Sequence, residues 1–277
     1  MALPRLQLFE LEDLPWFPRP IRDLATDYLR LMEVRFELHR PVVPLLRRAL
    51  LESGMTEVVD LCSGGGGPVA ALVEELSTDI GPVHFTLTDK YPNLPAFRRL
   101  SAEHPQVSFV ADPIDATAVP AAIKGLRTMF NAFHHFGPQA ATAVLQSSVA
   151  ALQPIAIFEI PERRMATIIP LLFTPVFVLL ASPFIRPFTW PRLLWTYLLP
   201  LVPVTCWWDG IVSQLRAYTA SELESFAAAV GGHYEWTAGR VPIGATPGHL
   251  TYLIGVPRQS GAERAGADGS LREGQQR

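Results

Sequence analysis

The 277-residue sequence predicts an α/β fold: a parallel sheet with helices on both faces, an N-terminal helical cap, and an apolar insertion after the fifth strand. Three observations lead there. From residue 57 to 160, short β-branched or aromatic runs alternate with helical segments, and such alternation calls for crossover connections within a parallel sheet. Four glycines at 64–67 join the first strand to the next helix. After Pro161 the alternation gives way to long uncharged stretches, and it resumes near Thr219 for one helix and two strands. The chain therefore divides into an arm and helical cap (1–54), a sheet domain (55–257, with the insertion at about 161–210) and a tail (258–277) expected to be disordered for want of apolar residues.

The elements follow in order. Residues 1–20, with several prolines and aromatics, read as an extended arm. Over 21–51 the spacing is helical, with Leu24, Tyr28, Leu31 and Met32 on one face. Pro41 and Pro44 break that helix, and Gly54 stops it. Strands are expected at 57–61, 83–88, 107–111, 127–131 and 155–160. Between them fall helices at 68–77, 94–103, 117–123 and 139–152. Thr219 followed by Glu222 forms a capping box for a helix over 219–230, and strands at 233–238 and 250–256 complete the core.

Composition narrows the function. Lys and Arg number 23 against 26 Asp and Glu, a net charge of −3, so no basic surplus exists to neutralise a nucleic-acid backbone. Charged residues make up 18% and hydrophobic ones 49%, with mean hydropathy +0.21, which excludes a disordered chain and is greasier than most soluble domains. Cys62 and Cys206 are too far apart in sequence for a disulfide scaffold or a zinc knuckle, and a reducing compartment is expected. The first twenty residues lack a basic region followed by an apolar run, so no secretory signal is expected and the location is read as cytoplasmic.

The segment VVDLCSGGGGP, 58–68, is a strand, an acid, a glycine loop and a helix start. Glycines let the backbone approach a ligand, and a helix N-terminus offers unpaired N–H groups. Asp60 stands at the carboxyl end of the strand, where α/β sheets bind ligands. A phosphate loop ending in Gly-Lys-Ser/Thr is excluded, since no lysine lies in it. A dinucleotide fingerprint would require a third glycine where Val69 stands. The stretch Asp60-Leu-Cys-Ser-Gly64-Gly-Gly66 resembles the first motif of class I S-adenosylmethionine-dependent methyltransferases, with Cys62 in place of the usual first glycine. The resemblance continues over about 57–160. It implies that Asp89, ending the second strand, meets the ribose hydroxyls, and that Asp115, with Asp112 as rival, faces the adenine. It also implies that Asn131, His134 and His135 lie near the transferred methyl.

On that resemblance the fold is a Rossmann-like class I methyltransferase sheet, and the cofactor is S-adenosylmethionine. The cofactor-binding residues are Asp60, Cys62, Gly64, Gly66, Asp89, Asp115 and Asn131. Methyl transfer depends largely on holding acceptor and methyl aligned. Where the acceptor carries a proton, His134 or His135 is the candidate base. Glu159 is a second candidate, with an ion pair to Arg163 or Arg164 as its other reading. No metal is expected, because the histidines lack ligand spacing and no acids surround them in sequence. Tyr28 and Arg35 are candidates to cover the cofactor. The segment around Asp209, Arg216 and Tyr218 either shapes the pocket or seals the insertion, and sealing is the favoured reading.

Two uncharged runs, 165–185 and 193–208, flank Arg186 and Arg192. The first has bilayer-spanning length, but prolines interrupt both. Three arrangements compete: a two-pass hairpin, a kinked hairpin docked on or dipping into one leaflet, and a buried lid or homodimer face. An apolar wall beside the site favours a hydrophobic or lipid-like acceptor, in a protein peripheral or monotopic on the membrane. Two other functions compete with methyl transfer: an NAD(P)-dependent oxidoreductase, and a non-catalytic membrane-associated scaffold.

Overall fold

A computed structural model of the chain describes residues 3–186, 188–244 and 246–258. A seven-stranded sheet in the order β3-β2-β1-β4-β5-β7-β6 forms its centre. The strands are β1 (Glu57–Asp60), β2 (His84–Leu87), β3 (Val107–Phe109), β4 (Leu126–Phe130), β5 (Ile155–Glu159), β6 (Tyr234–Pro242) and β7 (His249–Pro257). The first five are parallel, as the alternation requires. The sheet as a whole is mixed, because the short link between β6 and β7 makes a hairpin, and β7 enters antiparallel between β5 and β6. This is the expected Rossmann-like class I methyltransferase sheet.

Helices α3 (Val69–Ile80), α4 (Leu94–Glu103), α5 (Pro138–Ala150) and α10 (Ala220–Val230) cover the two faces, joined on one of them by α2 (Val42–Ser53). One core holds Leu46, Leu72, Phe85 and Phe97; the other holds Val59, Met129, Leu145 and Leu223. The capping box at Thr219 and Glu222 is present. Chain order reverses between β1 and β4, so the crevice for a ligand opens at their carboxyl ends.

The break expected around Pro41 is present: α1 (Arg19–Phe36) ends where Glu37 turns left-handed, ahead of Pro41, and Pro44 sits in the first turn of α2, where its missing N–H costs nothing. Two other expectations change. The helix expected at 117–123 is a single 3-10 turn, Ala116–Ala118, capped by Asp115. The arm is not wholly extended, since Leu11–Asp13 forms a 3-10 turn. The predicted tail, apart from Arg258, lies outside the described residues.

The insertion is helical: α6 (Met165–Leu171), α7 (Thr174–Ala181), α8 (Trp190–Leu193), a π-turn (Leu194–Leu198) and α9 (Leu201–Arg216). No single helix among the described residues is long and apolar enough to cross a membrane, and the pair formed by α6 with Thr174–Phe184 bends by 50°. The inner side packs on α1, through Val178, Val202 and Cys206 against Ile21, Leu24 and Tyr28. Arg192, buried, reaches Asp27 of α1 at 2.7 Å. Cap and insertion thus form one layer, and Tyr28 belongs to its core instead of covering the cofactor crevice.

Within the loop, a Cβ on Gly66 (φ +95°) would lie 2.0 Å from Leu100 Cδ1 of α4, whereas one on Gly64 (φ +52°) would meet nothing within 4 Å. Gly66→Ala is expected to lose roughly 2–4 kcal/mol, left-handed strain plus overpacking. Gly64→Ala should lose only about 1 kcal/mol, from the strain alone. Paired denaturant titrations check the difference.

Candidate active site

The glycine loop and the segment after β4 meet at the reversal point. Asp60 lies buried beneath the loop, its Oδ1 accepting from Thr128 Oγ1 at 2.9 Å across the β1–β4 pairing. Ser63 Oγ and Thr88 Oγ1 both donate to the Asp60 carbonyl, binding the loop to the end of β2. Burial pushes the Asp60 carboxyl up to about 7, against its bonds to Ser63 and Thr128 and with help from the charge of Asp89. From above, α1 leans on the same loop, with Thr26 against Gly65 and a Glu33 carboxylate oxygen 3.8 Å from a Cβ position on Gly67. Burial, then the charge of Asp60, raises Glu33 to about 7 as well. Arg35, on the same helix, is exposed.

Cys62 has φ +58°, the left-handed conformation that a glycine at this position would adopt without strain. Its thiol is driven well above the usual range by burial and then by Asp89, Asp60, Asp115 and Asp13, so it is a spacer and not a nucleophile. Asp89 accepts the amides of Gly64 (2.9 Å) and Tyr91 (2.7 Å) at the rim. Asp115 accepts from Thr117 and from Lys90 Nζ at 2.9 Å, which hold it at about 2. Asp112 is exposed. Asn131 is left-handed (φ +52°), and its Oδ1 accepts the Ile160 amide at 2.8 Å, tying the end of β4 to that of β5.

Buried Asp60 and half-buried Glu33, neither in an ion pair among the described residues, form beside the glycine cradle a donor set that welcomes a cation and repels a phosphate. S-adenosylmethionine, with its sulfonium and ammonium groups, fits it. The pyrophosphate of a dinucleotide does not: Asp60, Glu33 and Asp89 would oppose it, and buried Val69 fills the third glycine position.

On the strand beside the loop, the 3-10 turn Phe133–His135 carries both histidines. Buried His134 bonds through Nδ1 to Glu159 Oε2 of β5 at 2.5 Å, while Glu159 Oε1 accepts the Phe133 amide. Glu159 therefore serves His134, and Arg163 pairs instead with Glu222, Arg164 with Glu162. His135 stacks on His134 with centroids 4.4 Å apart, and its Nδ1 is 2.8 Å from Asp13 Oδ1. Burial works against a charged imidazole at His135, but Glu10 and Asp13 outweigh it and raise it to about 9. Burial would likewise raise Asp13, and His135 and Arg216 hold it at about 2.

Glu10 and Asp13 come from the N-terminal arm, and buried Arg216 from the end of α9. Arg216 donates to Asp13 Oδ2 (2.6 Å) and to the carbonyls of His134 and His135, and stands 3.2 Å from Glu10 Oε1. Asp209, one helix turn and more earlier, accepts the Leu11 and Glu12 amides at 2.7 and 3.1 Å. The 209–218 segment thus builds the site instead of only sealing the insertion. The ground for expecting no metal also falls, since Glu10, Asp13 and Glu159 surround the histidines in space. The acids of the arm are the residues that sequence reading missed; the one sign of them was Asp209, an isolated acid closing a long uncharged run.

No family model matches the chain, and no curated protein matches it. Among solved structures, an O-methyltransferase family protein from Burkholderia thailandensis is similar over 82% of this chain and 57% of its own, at 15% identity and TM-score 0.46. Human N-acetylserotonin methyltransferase is similar over 85% and 57%, at 13% identity and TM-score 0.47. Magnesium protoporphyrin IX methyltransferase from Synechocystis is similar over 79% and 84%, at 12% identity and TM-score 0.46. The chain spans under three-fifths of the length of the first two. At these identities and TM-scores the likeness carries no chemistry across.

Asp209→Ala is expected to free the arm: hydrogen exchange at the Leu11 and Glu12 amides should speed up at least about ten-fold, with exchange in the sheet unchanged. Amide exchange followed by mass spectrometry checks this.

Proposed function

We propose that this chain transfers a methyl group from S-adenosylmethionine to a small hydrophobic or lipid-like acceptor at a membrane surface. The observation that carries the reading is the pairing, across β1 and β4, of a cation-seeking glycine cradle with a carboxylate–imidazole dyad. When bound, S-adenosylmethionine supplies an electrophilic methyl on a sulfonium cation. Gly64 gives it open backbone, Cys62 packs beside it, and Gly66 holds the loop on α4. Asp89 at the rim takes the ribose hydroxyls and Asp115 the adenine side, while Asp60 and Glu33 attract the positive charge. Asn131 fixes the turn that presents the histidines.

His134 is the base in this reading. Glu159 accepts the Nδ1 proton and leaves the Nε2 lone pair free to take a proton from the acceptor. His135, cationic at neutral pH, positions and does not abstract. The arm carrying Glu10 and Asp13 lies over the dyad and excludes water. A nicotinamide enzyme would need a site for pyrophosphate, which the three acids oppose.

The insertion supports the membrane surface and the apolar acceptor. Sixteen of its large apolar side chains are exposed, among them Phe184 at 74%, Trp190 at 78% and Leu198 at 74%. An apolar face of this extent suits insertion into one leaflet, with Trp190 and Arg186 at headgroup level. The outward aim of these side chains argues against a lid folded over the site.

Calorimetric titration tests the cofactor. S-adenosylmethionine is expected to bind, NAD not to, and Asp89→Ala to lose binding; NAD binding, or no response to S-adenosylmethionine, overturns the reading. Asp60 and Glu33, raised to about 7, are mostly ionised at pH 8 and mostly protonated at pH 6. Affinity should therefore fall by roughly ten-fold or more on going from pH 8 to pH 6. His134→Gln should keep that affinity and lower turnover by about 10²–10⁴ on a panel of apolar hydroxyl acceptors. In vesicle flotation the wild type should rise with anionic liposomes, and a Phe184→Ser, Trp190→Ser, Leu198→Ser variant should stay below.

A further inference from the structure

The structure assigns a second capacity to the histidine turn: we infer that Glu10, His134 and His135 form a binding site for one divalent first-row transition ion of the zinc type. The inference does not rest on methyl transfer. One ligand atom from each of the three residues falls in a cluster no more than 4.8 Å across. Glu10 Oε1 lies 3.6 Å from His134 Nε2, and Glu10 Oε2 lies 3.5 Å from His135 Nδ1. Both separations are too long for hydrogen bonds. They match the ligand-to-ligand edge of about 3.4 Å in a tetrahedral site with bonds near 2.1 Å.

Two of these atoms, Glu10 Oε1 and His134 Nε2, are fully buried and have no hydrogen-bond partner, on residues 3% and 2% exposed. A buried polar atom without a hydrogen bond is costly, and here two of them face each other. The surroundings are those of a metal ligand. His134 Nδ1 is held by Glu159, the carboxylate–imidazole–metal arrangement that fixes the ring and turns Nε2 toward the ion. His135 Nδ1 is hydrogen-bonded to Asp13 Oδ1 at 2.8 Å, and the ion would take the place of that bond's proton.

Charge agrees. Glu10, Asp13 and Glu159 against Arg216 leave two negative charges once the ion displaces the proton on His135, and a divalent ion cancels them. Arg216, 3.2 Å from Glu10 Oε1, keeps its own bond to Asp13. Two imidazole nitrogens with a carboxylate favour zinc and its first-row neighbours over magnesium or calcium, which take oxygen shells. The ion would use the same His134 lone pair that accepts a proton, so metal loading decides what that nitrogen does.

The test is equilibrium dialysis of the full chain against zinc without cofactor or acceptor, followed by metal analysis. One ion per chain is expected, with affinity at least ten-fold weaker in Glu10→Gln and in His134→Gln, and unchanged in His84→Gln, an exposed position. No stoichiometric zinc in the wild type, or undiminished binding in Glu10→Gln, overturns the site. Should the variants fail to fold, copper-loaded wild type keeps it falsifiable. Electron spin-echo spectra should show two imidazoles, and spectra showing none would overturn it. Because the readout is metal content, failure here leaves the cofactor titration standing, and failure there leaves this site standing.

Discussion

The buried guanidinium of Arg216 is the contact on which the site depends. It sits at the last turn of α9 and reaches the carbonyls of His134 and His135, the carboxylate of Asp13 and the edge of Glu10. Three pieces far apart in sequence are fixed by one side chain: the arm, the turn after β4 and the end of the insertion. Arginine suits this because its planar fork keeps several donors in fixed directions and stays charged when buried. Desolvating it is costly, and only the two carboxylates and two carbonyls around it make the burial tolerable. Without that charge, Glu10 and Asp13 would repel each other, and the arm would be left to its contacts with Asp209, Trp208 and His135.

The two halves of the site are electrostatically unlike. Around the histidines, acids and bases are paired, and their titration is pulled apart: Asp13 down to about 2, His135 up to about 9. On either side of the glycine loop, Asp60 and Glu33 are chiefly desolvated, and both rise to about 7. A fold left to maximise its own stability would pair or remove such acids. Their retention beside backbone that only glycine adopts comfortably is what a site for a cationic ligand requires, and Cys62, held left-handed at roughly 1–2 kcal/mol of strain, shows the loop keeping its shape where the residue disfavours it.

Sequence reading found what is local. The loop, the strands, the capping box and the positions of Asp89, His134 and His135 at strand ends all follow from patterns spanning a few residues. Three features escaped it. The antiparallel β7 depends on a hairpin whose partner strand is chosen by the whole sheet. Glu159 reads in sequence as a second candidate base or as a partner of Arg163 or Arg164, and its bond to His134 escapes that reading because a β5 side chain at this register points to the turn after β4. Glu10 and Asp13 lie more than a hundred residues from the histidines, and no periodicity links them. What the sequence did offer was Asp209, an acid that an apolar run would not carry without a partner, and its partners are the amides of Leu11 and Glu12.

Those amides join the exposed apolar face to the chemistry. Trp208 donates through its indole N–H to the Phe9 carbonyl at 3.0 Å and packs on the Phe9 ring, one residue before Asp209 takes hold of the 3-10 turn. The helix that carries both also packs on α7, whose outer side chains, Phe177 and Leu180, are exposed. A rotation of α9 by even part of a turn would move Asp209 and Arg216 together, because both lie on that one helix and both hold the arm. The path from the apolar face to His134 is therefore short and made of direct contacts: α7 to α9, α9 to the arm, and the arm to the imidazoles. The contacts that hold the arm on the histidines are thus the ones that tie it to the insertion.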